Sequence, residues 1–177
     1  MPKLISRDGP EASSFVWRED GFTHIADDEA PGGELGQVII SLSRFQADGD
    51  RWLAEGRSVG VRLKPEDPVE GLAYDLPRLA VVALEFPKFR DGRALSAAAL
   101  LRERYGYAGE LRAVGEVVRD LAKEMSRCGF DSFEPSDGST PEQWTISVFR
   151  FRHVYQSAAD RRAPAFRERI HIPTAEG

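Results

Sequence analysis

An apolar run that stops at an acid, with cations close behind it, is the pattern in this sequence best suited to chemistry. Leu79-Ala-Val-Val-Ala-Leu84 leads directly into Glu85, and the chain continues Phe86-Pro-Lys-Phe-Arg-Asp-Gly-Arg93 before a helical pattern begins. A carboxyl group at the end of a buried strand is partly desolvated, which raises its pKa and suits it to acid–base work. The structural alternative is an ion pair with Lys88, Arg90 or Arg93. Arg90, Arg93 and Ser96 stand at a helix start, where unpaired N–H groups and the helix dipole favour an anion such as phosphate, sulfate, sulfite or carboxylate. Asp91 can instead cap that helix, and the arginines can simply bracket acids. Arg112 and Arg119 add positive charge around the next unit, and Gly115 allows a ligand or backbone to approach closely. The candidate set is therefore Glu85 as acid or base, with Lys88, Arg90, Asp91, Arg93, Ser96, Arg112, Gly115 and Arg119 holding an anion or a partner.

The elements that must position these residues alternate apolar runs with amphipathic stretches, as strand–helix units do. Val38-Ile39-Ile40 reads as a strand, followed by a helix to about Ala54. Ser58 to Leu63 is a second strand and Leu79 to Glu85 a third. A helix over Ala94 to Tyr105 follows, then a strand over Glu110 to Gly115. A helix presenting Val118, Leu121, Met125 and Cys128 comes next, then a strand over Phe130 to Glu134. The last helix starts near Glu142 and carries Trp144, Val148 and Phe151. Before these units, Phe15 to Glu19 and Phe22 to Ile25 flank Asp20-Gly21, a dipeptide suited to a tight hairpin turn.

The expected fold is α/β, an open and mostly parallel sheet of about five strand–helix units, doubly wound or like an incomplete barrel, behind a small N-terminal β-hairpin. A closed barrel of this kind typically needs about 250 residues, against 177 here. The expected organisation is one domain: hairpin and loop over 1–36, α/β body over 37–156, basic tail over 157–177. Ligands in such sheets sit at the carboxyl ends of the strands, which places Glu85, Gly115 and Glu134 on one edge.

Composition narrows the function classes. A net charge of -5 argues against nucleic acid as a partner. The single cysteine, Cys128, rules out an internal disulfide and a cysteine-built metal cluster. Arg127 beside it could lower the thiol pKa, but its place on an apolar helix face reads as a buried structural thiol. His24, His153 and His171 show no ligand spacing, so no metal is expected. The glycines of Gly109-Glu-Leu-Arg-Ala-Val-Gly115 do not match a dinucleotide fingerprint, so no cofactor is expected. With neither a signal peptide nor a membrane-length apolar run, the protein is expected in the cytoplasm. The tail arginines Arg161, Arg162, Arg167 and Arg169 read as a solvated charge run or a dock for an acidic partner.

Four blocks carry a family resemblance: Leu84-Glu-Phe-Pro-Lys-Phe-Arg-Asp-Gly-Arg93, Leu101-Arg-Glu-Arg-Tyr-Gly106, Gly109-Glu-Leu-Arg-Ala-Val-Gly115 and Arg127-Cys-Gly-Phe-Asp131. Together, over about residues 38–156, they resemble the bacterial domain-of-unknown-function family 934, labelled as an oxidoreductase involved in sulfite reduction. The sequence departs from that pattern at Leu95, where an aromatic residue is usual, and at Leu121, where glutamine is common. The resemblance implies an accessory or partner protein of assimilatory sulfite reduction, with a sulfite or nitrite reductase haemoprotein, its sirohaem or another component as the partner. Nothing in these residues supports the electron carrier that the label's word oxidoreductase implies. The alternative is a small enzyme acting on a sulfur- or phosphate-containing anion through the acid–base glutamate and the arginine clamp. The sequence does not give the oligomeric state.

Overall fold

The computed structural model describes residues 3–8, 13–29, 36–54, 56–150, 153–160 and 164–168. Phe151, His171, Arg161, Arg162 and Arg169 lie outside the described residues. The elements in chain order are β1 (Lys3–Arg7), β2 (Phe15–Glu19), β3 (Thr23–His24), β4 (Gln37–Ser41), α1 (Leu42–Ala54), β5 (Ser58–Leu63), β6 (Val81–Phe86), α2 (Arg93–Glu103), β7 (Glu110–Val117), α3 (Ala122–Arg127), β8 (Ser132–Pro135) and α4 (Pro141–Phe149). A single helical turn spans Ala165–Glu168.

The strands form one mixed sheet in the order β2-β1-β8-β7-β6-β5-β4-β3. From β3 to β8 every neighbour is parallel, while β1 pairs antiparallel with both β8 and β2. This corrects the expectation of an open, mostly parallel sheet of five units. The N-terminal hairpin is present but built from other strands: Phe15–Glu19 pairs with Lys3–Arg7, not with the strand after Asp20-Gly21. Thr23–His24 instead lies at the opposite edge, parallel to β4.

That placement forces the sheet to curl. Eight strands at about 4.8 Å spacing would separate the two edges by about 34 Å in a flat sheet. Yet β2 ends at Glu19 and β3 begins at Thr23, and four Cα–Cα steps reach about 15 Å at most. The two edges must therefore come together, with one nearly continuous N-terminal strand giving its first half to β1 and its second half to β4. A barrel-like wall is thus made from far fewer residues than a full set of strand–helix units requires.

The sequential order from β4 to β8 also explains why the sheet curls rather than being wound on both faces. Right-handed crossovers between successive neighbours put every helix on the same side. Accordingly one set of alternate residues packs beneath the helices in the main core, among them Val38, Ile40, Val61, Leu63, Val82, Leu84, Phe86, Leu111, Ala113 and Phe133. Trp144 of α4 packs against Phe133 with the ring centroids 4.5 Å apart and the rings tilted by 42°. The other set faces inward, where Ile39, Val81, Ala83 and Val114 form a small second core capped by Phe22. Gly60 is required on this inner face, because a Cβ there would meet Ile39 Cγ1 at 2.9 Å and Val81 Cβ at 3.0 Å.

The expected helices hold with small shifts. The expected helix after Gly115 splits into a 3-10 turn, Arg119–Leu121, and the short α3. The polar loop before α4 ends in a capping box, in which Thr140 and Gln143 each accept from the other's backbone N–H.

Candidate functional site

The loop after β6 keeps most of its charge to itself. Asp91 accepts from the Arg93 N–H at 3.2 Å and from its Nε and Nη2 at 3.0 and 2.7 Å, so the guanidinium fork is already occupied by a carboxylate two residues away. The side-chain hydrogen bonds from Arg93 hold the Asp91 carboxyl below its ordinary value. Helix α2 takes Gly92 as its N-cap, so Asp91 does not cap it. Lys88, Arg90 and Ser96 are exposed, and Arg90 lies over the ring of Phe89 at 5.3 Å. The Phe89 N–H donates to Glu116 Oε2 at 3.0 Å, which ties the loop to β7.

Glu85 does not pair with any of the three cations proposed for it. It faces Arg62 of β5, with Nε–Oε2 3.7 Å. Gly115 sits beside Phe86 in the ladder, at a positive φ of 91°, and a Cβ there would lie 2.5 Å from the Phe86 carbonyl oxygen. Its freedom therefore serves the close approach of two strands. Arg119 donates its backbone N–H to Asp137 Oδ2 at 2.8 Å. Cys128 ends α3 as a half-buried thiol, pushed up in pKa by burial against the pull of Arg127.

Arg112 lies apart from these residues, on the inner face of β7, at the centre of a buried polar cluster. Its Nη1 donates to Asp20 Oδ2 at 2.8 Å, and both side chains are 1% exposed. Its Nε and Nη2 both lie 3.0 Å from Glu110 Oε1, and the guanidinium stacks on Phe22 at 5.3 Å. Glu110 also accepts from Ser132 Oγ at 2.5 Å and pairs with Arg18 Nη2 at 2.7 Å. Burial works to raise the Glu110 pKa, but the charge of Arg112, the Ser132 hydroxyl and Arg18 together hold it below its ordinary value. Arg18 is on β2 and Glu110 on β7, so this contact spans the interior of the curl.

Beside this cluster, His24 Nε2 meets Glu134 Oε1 at 3.2 Å, and Arg112 Nη1 stands 3.9 Å from the same oxygen. His24 and Glu134 come from strands far apart in the order, β3 and β8, and each keeps about a third of its side-chain surface, 31% and 32%. The register places His24 opposite Ile39, and Ile39 opposite Gly60, so Arg62 shares their face one inward position further along. Arg62 pairs with Ala83, which puts Glu85 next on that face of β6. By register, Arg62 and Glu85 therefore lie on the inner face toward the carboxyl ends of β5 and β6, the face that also carries Ile39, Ala83 and Val114.

Asp20, His24 and Glu134 bring one ligand atom each within 4.8 Å of one another, a set that suits a divalent cation by donor type. The charges oppose that use. Asp20 Oδ2 is held by Arg112 and Asp20 Oδ1 by the Phe22 N–H at 2.9 Å, so a cation would face a guanidinium across two of its three ligands.

Sequence reasoning missed His24, Asp20, Arg62, Glu110 and Ser132. The signal was present as charged or polar residues at alternate positions within apolar strands, such as Arg62 in Ser58-Val-Gly-Val-Arg-Leu63. In a curled sheet that alternation marks the interior as well as solvent.

Among the described residues, no helix is long and apolar enough to cross a membrane. No curated protein matches the chain. The profile of the family described as "Bacterial protein of unknown function (DUF934)" matches residues 60–166, more than half of the chain, and the chain belongs to that family.

Proposed function

We propose that the protein, a member of this bacterial family of unknown function, is a small acid–base enzyme with its working centre at the carboxyl ends of the curled sheet and a small anionic molecule as substrate. The observation that carries the reading is the His24–Glu134 pair, joined at 3.2 Å across two distant strands and still open to solvent. A carboxylate on one ring nitrogen fixes the orientation of the imidazole, leaving the other nitrogen to face a substrate as acid or base. Arg62, with Glu85 as its only short-range acid partner at 3.7 Å among the described residues, supplies the positive charge for an anion. In this reading Glu85 positions Arg62, and the clamp earlier expected of Arg90 and Arg93 passes to Arg62.

The test is restoration of growth on sulfate or sulfite in a strain lacking this protein, using His24→Ala and Glu134→Gln. Both residues are partly exposed, so the variants are expected to fold. Failure to restore growth supports the reading; growth like that with the wild type abandons it.

A second reading, an accessory role in sulfite reduction with a reductase haemoprotein as partner, draws on the loop after β6. Phe89 is 44% exposed there, with Lys88 and Arg90 on either side, and exposed aromatic and arginine side chains are enriched at protein interfaces. In this case Phe89→Ala with Arg90→Ala should lose a co-purifying reductase at low salt while His24→Ala keeps it. Equal recovery by the wild type, the double variant and His24→Ala would discard the partner role.

A further inference from the structure

The other end of the strands holds a cavity of about 490 Å³, lined by Ser6 and Arg7 of β1, Arg18 of β2, Arg102, Ser126 of α3, Gly129 to Asp131 and the turn at Ala159-Asp160. Two of its lining side chains have a buried polar atom with no hydrogen-bond partner, Arg7 Nε and Ser126 Oγ. Ser126 is 3% exposed. A buried donor without an acceptor is costly to the fold, and two in one cavity are rarely left without a purpose.

The carboxylates near them are already engaged. Asp131 Oδ2 takes Arg102 Nη2 at 2.5 Å and the Leu111 N–H at 2.8 Å. Asp160 Oδ2 takes Arg127 Nε at 3.3 Å. Arg102 is likewise committed, donating Nε to Gly129 O at 3.0 Å and Nη1 to Gly109 O at 2.9 Å and to Tyr107 O. Neither Arg7 Nε nor Ser126 Oγ is reached by an acceptor of the protein, and Arg18 adds a third cation with its Glu110 partner on the inner face.

We propose that this cavity is a binding site for a small oxyanion, either free or as the end group of a metabolite, with Arg7 and Ser126 donating to its oxygens. A guanidinium and a hydroxyl together match an oxyanion's charge and its several acceptor positions. The site is separate from the His24–Glu134 centre and does not depend on what that centre does.

Titration calorimetry of the full chain with sodium phosphate, sodium sulfate and sodium acetate, each at constant ionic strength set with sodium chloride, tests the site. Saturable binding of at least one of these anions is expected. Arg7→Met and Ser126→Ala should each weaken it by about tenfold, and His24→Ala should leave it unchanged. Phosphate or sulfate binding without acetate binding assigns a tetrahedral group, and the reverse assigns a carboxylate. Ser126→Ala removes a buried hydroxyl that has no partner, so this variant should melt at or above the wild-type temperature, which separates lost binding from lost folding. No saturable binding of any of the three, or equal binding by the wild type and both cavity variants, overturns the proposal.

Discussion

Arg112 of β7 and Asp20, which lies between β2 and β3, meet at 2.8 Å inside the curl, with both side chains withdrawn from solvent. Asp20 sits where the N-terminal strand passes from one sheet edge to the other, so this ion pair latches the closure. Removing Arg112 would leave Asp20 buried without its cation and Glu110 with Arg18 alone. Arg112→Ala is expected to cost about 3–5 kcal/mol, measured by urea unfolding. The paired change Arg112→Met with Asp20→Leu should recover part of that loss. A cost for Arg112→Ala below about 1 kcal/mol would mean that the pair holds nothing together.

Gly115 gives a sharper local test. Its positive φ and the Phe86 carbonyl 2.5 Å from the position of a Cβ act against any side chain. Gly115→Ala should lower stability by about 1–3 kcal/mol and should be seen as a lower melting temperature. An unchanged melting temperature would show that β6 and β7 can move apart at that point.

Acid should weaken the fold in part through Glu110. Its pKa lies below the ordinary 4.5 in the folded state, so its contribution is complete above that value and is lost as the pH falls through the folded value. Asp131 works in the opposite sense. Partial desolvation raises its pKa above 3.8 against the pull of Arg102, so that small penalty is relieved on acidification. Comparing Glu110→Gln with the wild type isolates the first effect. The stability gap between them should be present near pH 7 and shrink toward about pH 3, measured by urea midpoints. A gap independent of pH would assign the loss to packing alone.

Cys128 should be slow to react. Burial pushes its thiol pKa up, so iodoacetamide should label it at about a tenth or less of the rate found for the urea-unfolded chain. Equal rates would place the sulfur in open solvent.

The strands and helices from residue 37 onward were legible because their outer faces are continuous apolar runs covered by helices, as in Val81 to Phe86 and Glu110 to Val117. The closure was not. Asp20-Gly21 has the composition of a hairpin turn, and only a residue 92 positions away, Arg112, shows that Asp20 serves as a buried ion-pair partner. The same distance effect hid His24, which looks isolated until the curl brings it to Glu134. Glu85 and Glu134 were recognisable as strand-end acids from the runs before them. Arg93 looked available for an anion because sequence does not reveal that its fork closes on Asp91.

The strand that serves both edges also sets an order of events during synthesis. Ile5 pairs with Phe133, so during synthesis β1 waits for β8, the last strand of the sheet, before it gains its second neighbour. Until then Lys3–Arg7 and Phe15–Glu19 can satisfy their backbone groups only with each other, and β3 only with β4. Such long-range pairing slows folding and leaves open strand edges in the growing chain. The nascent protein is therefore most exposed to misassembly just before Ser132–Pro135 emerges, when nearly all of the sheet has been made and none of it is closed.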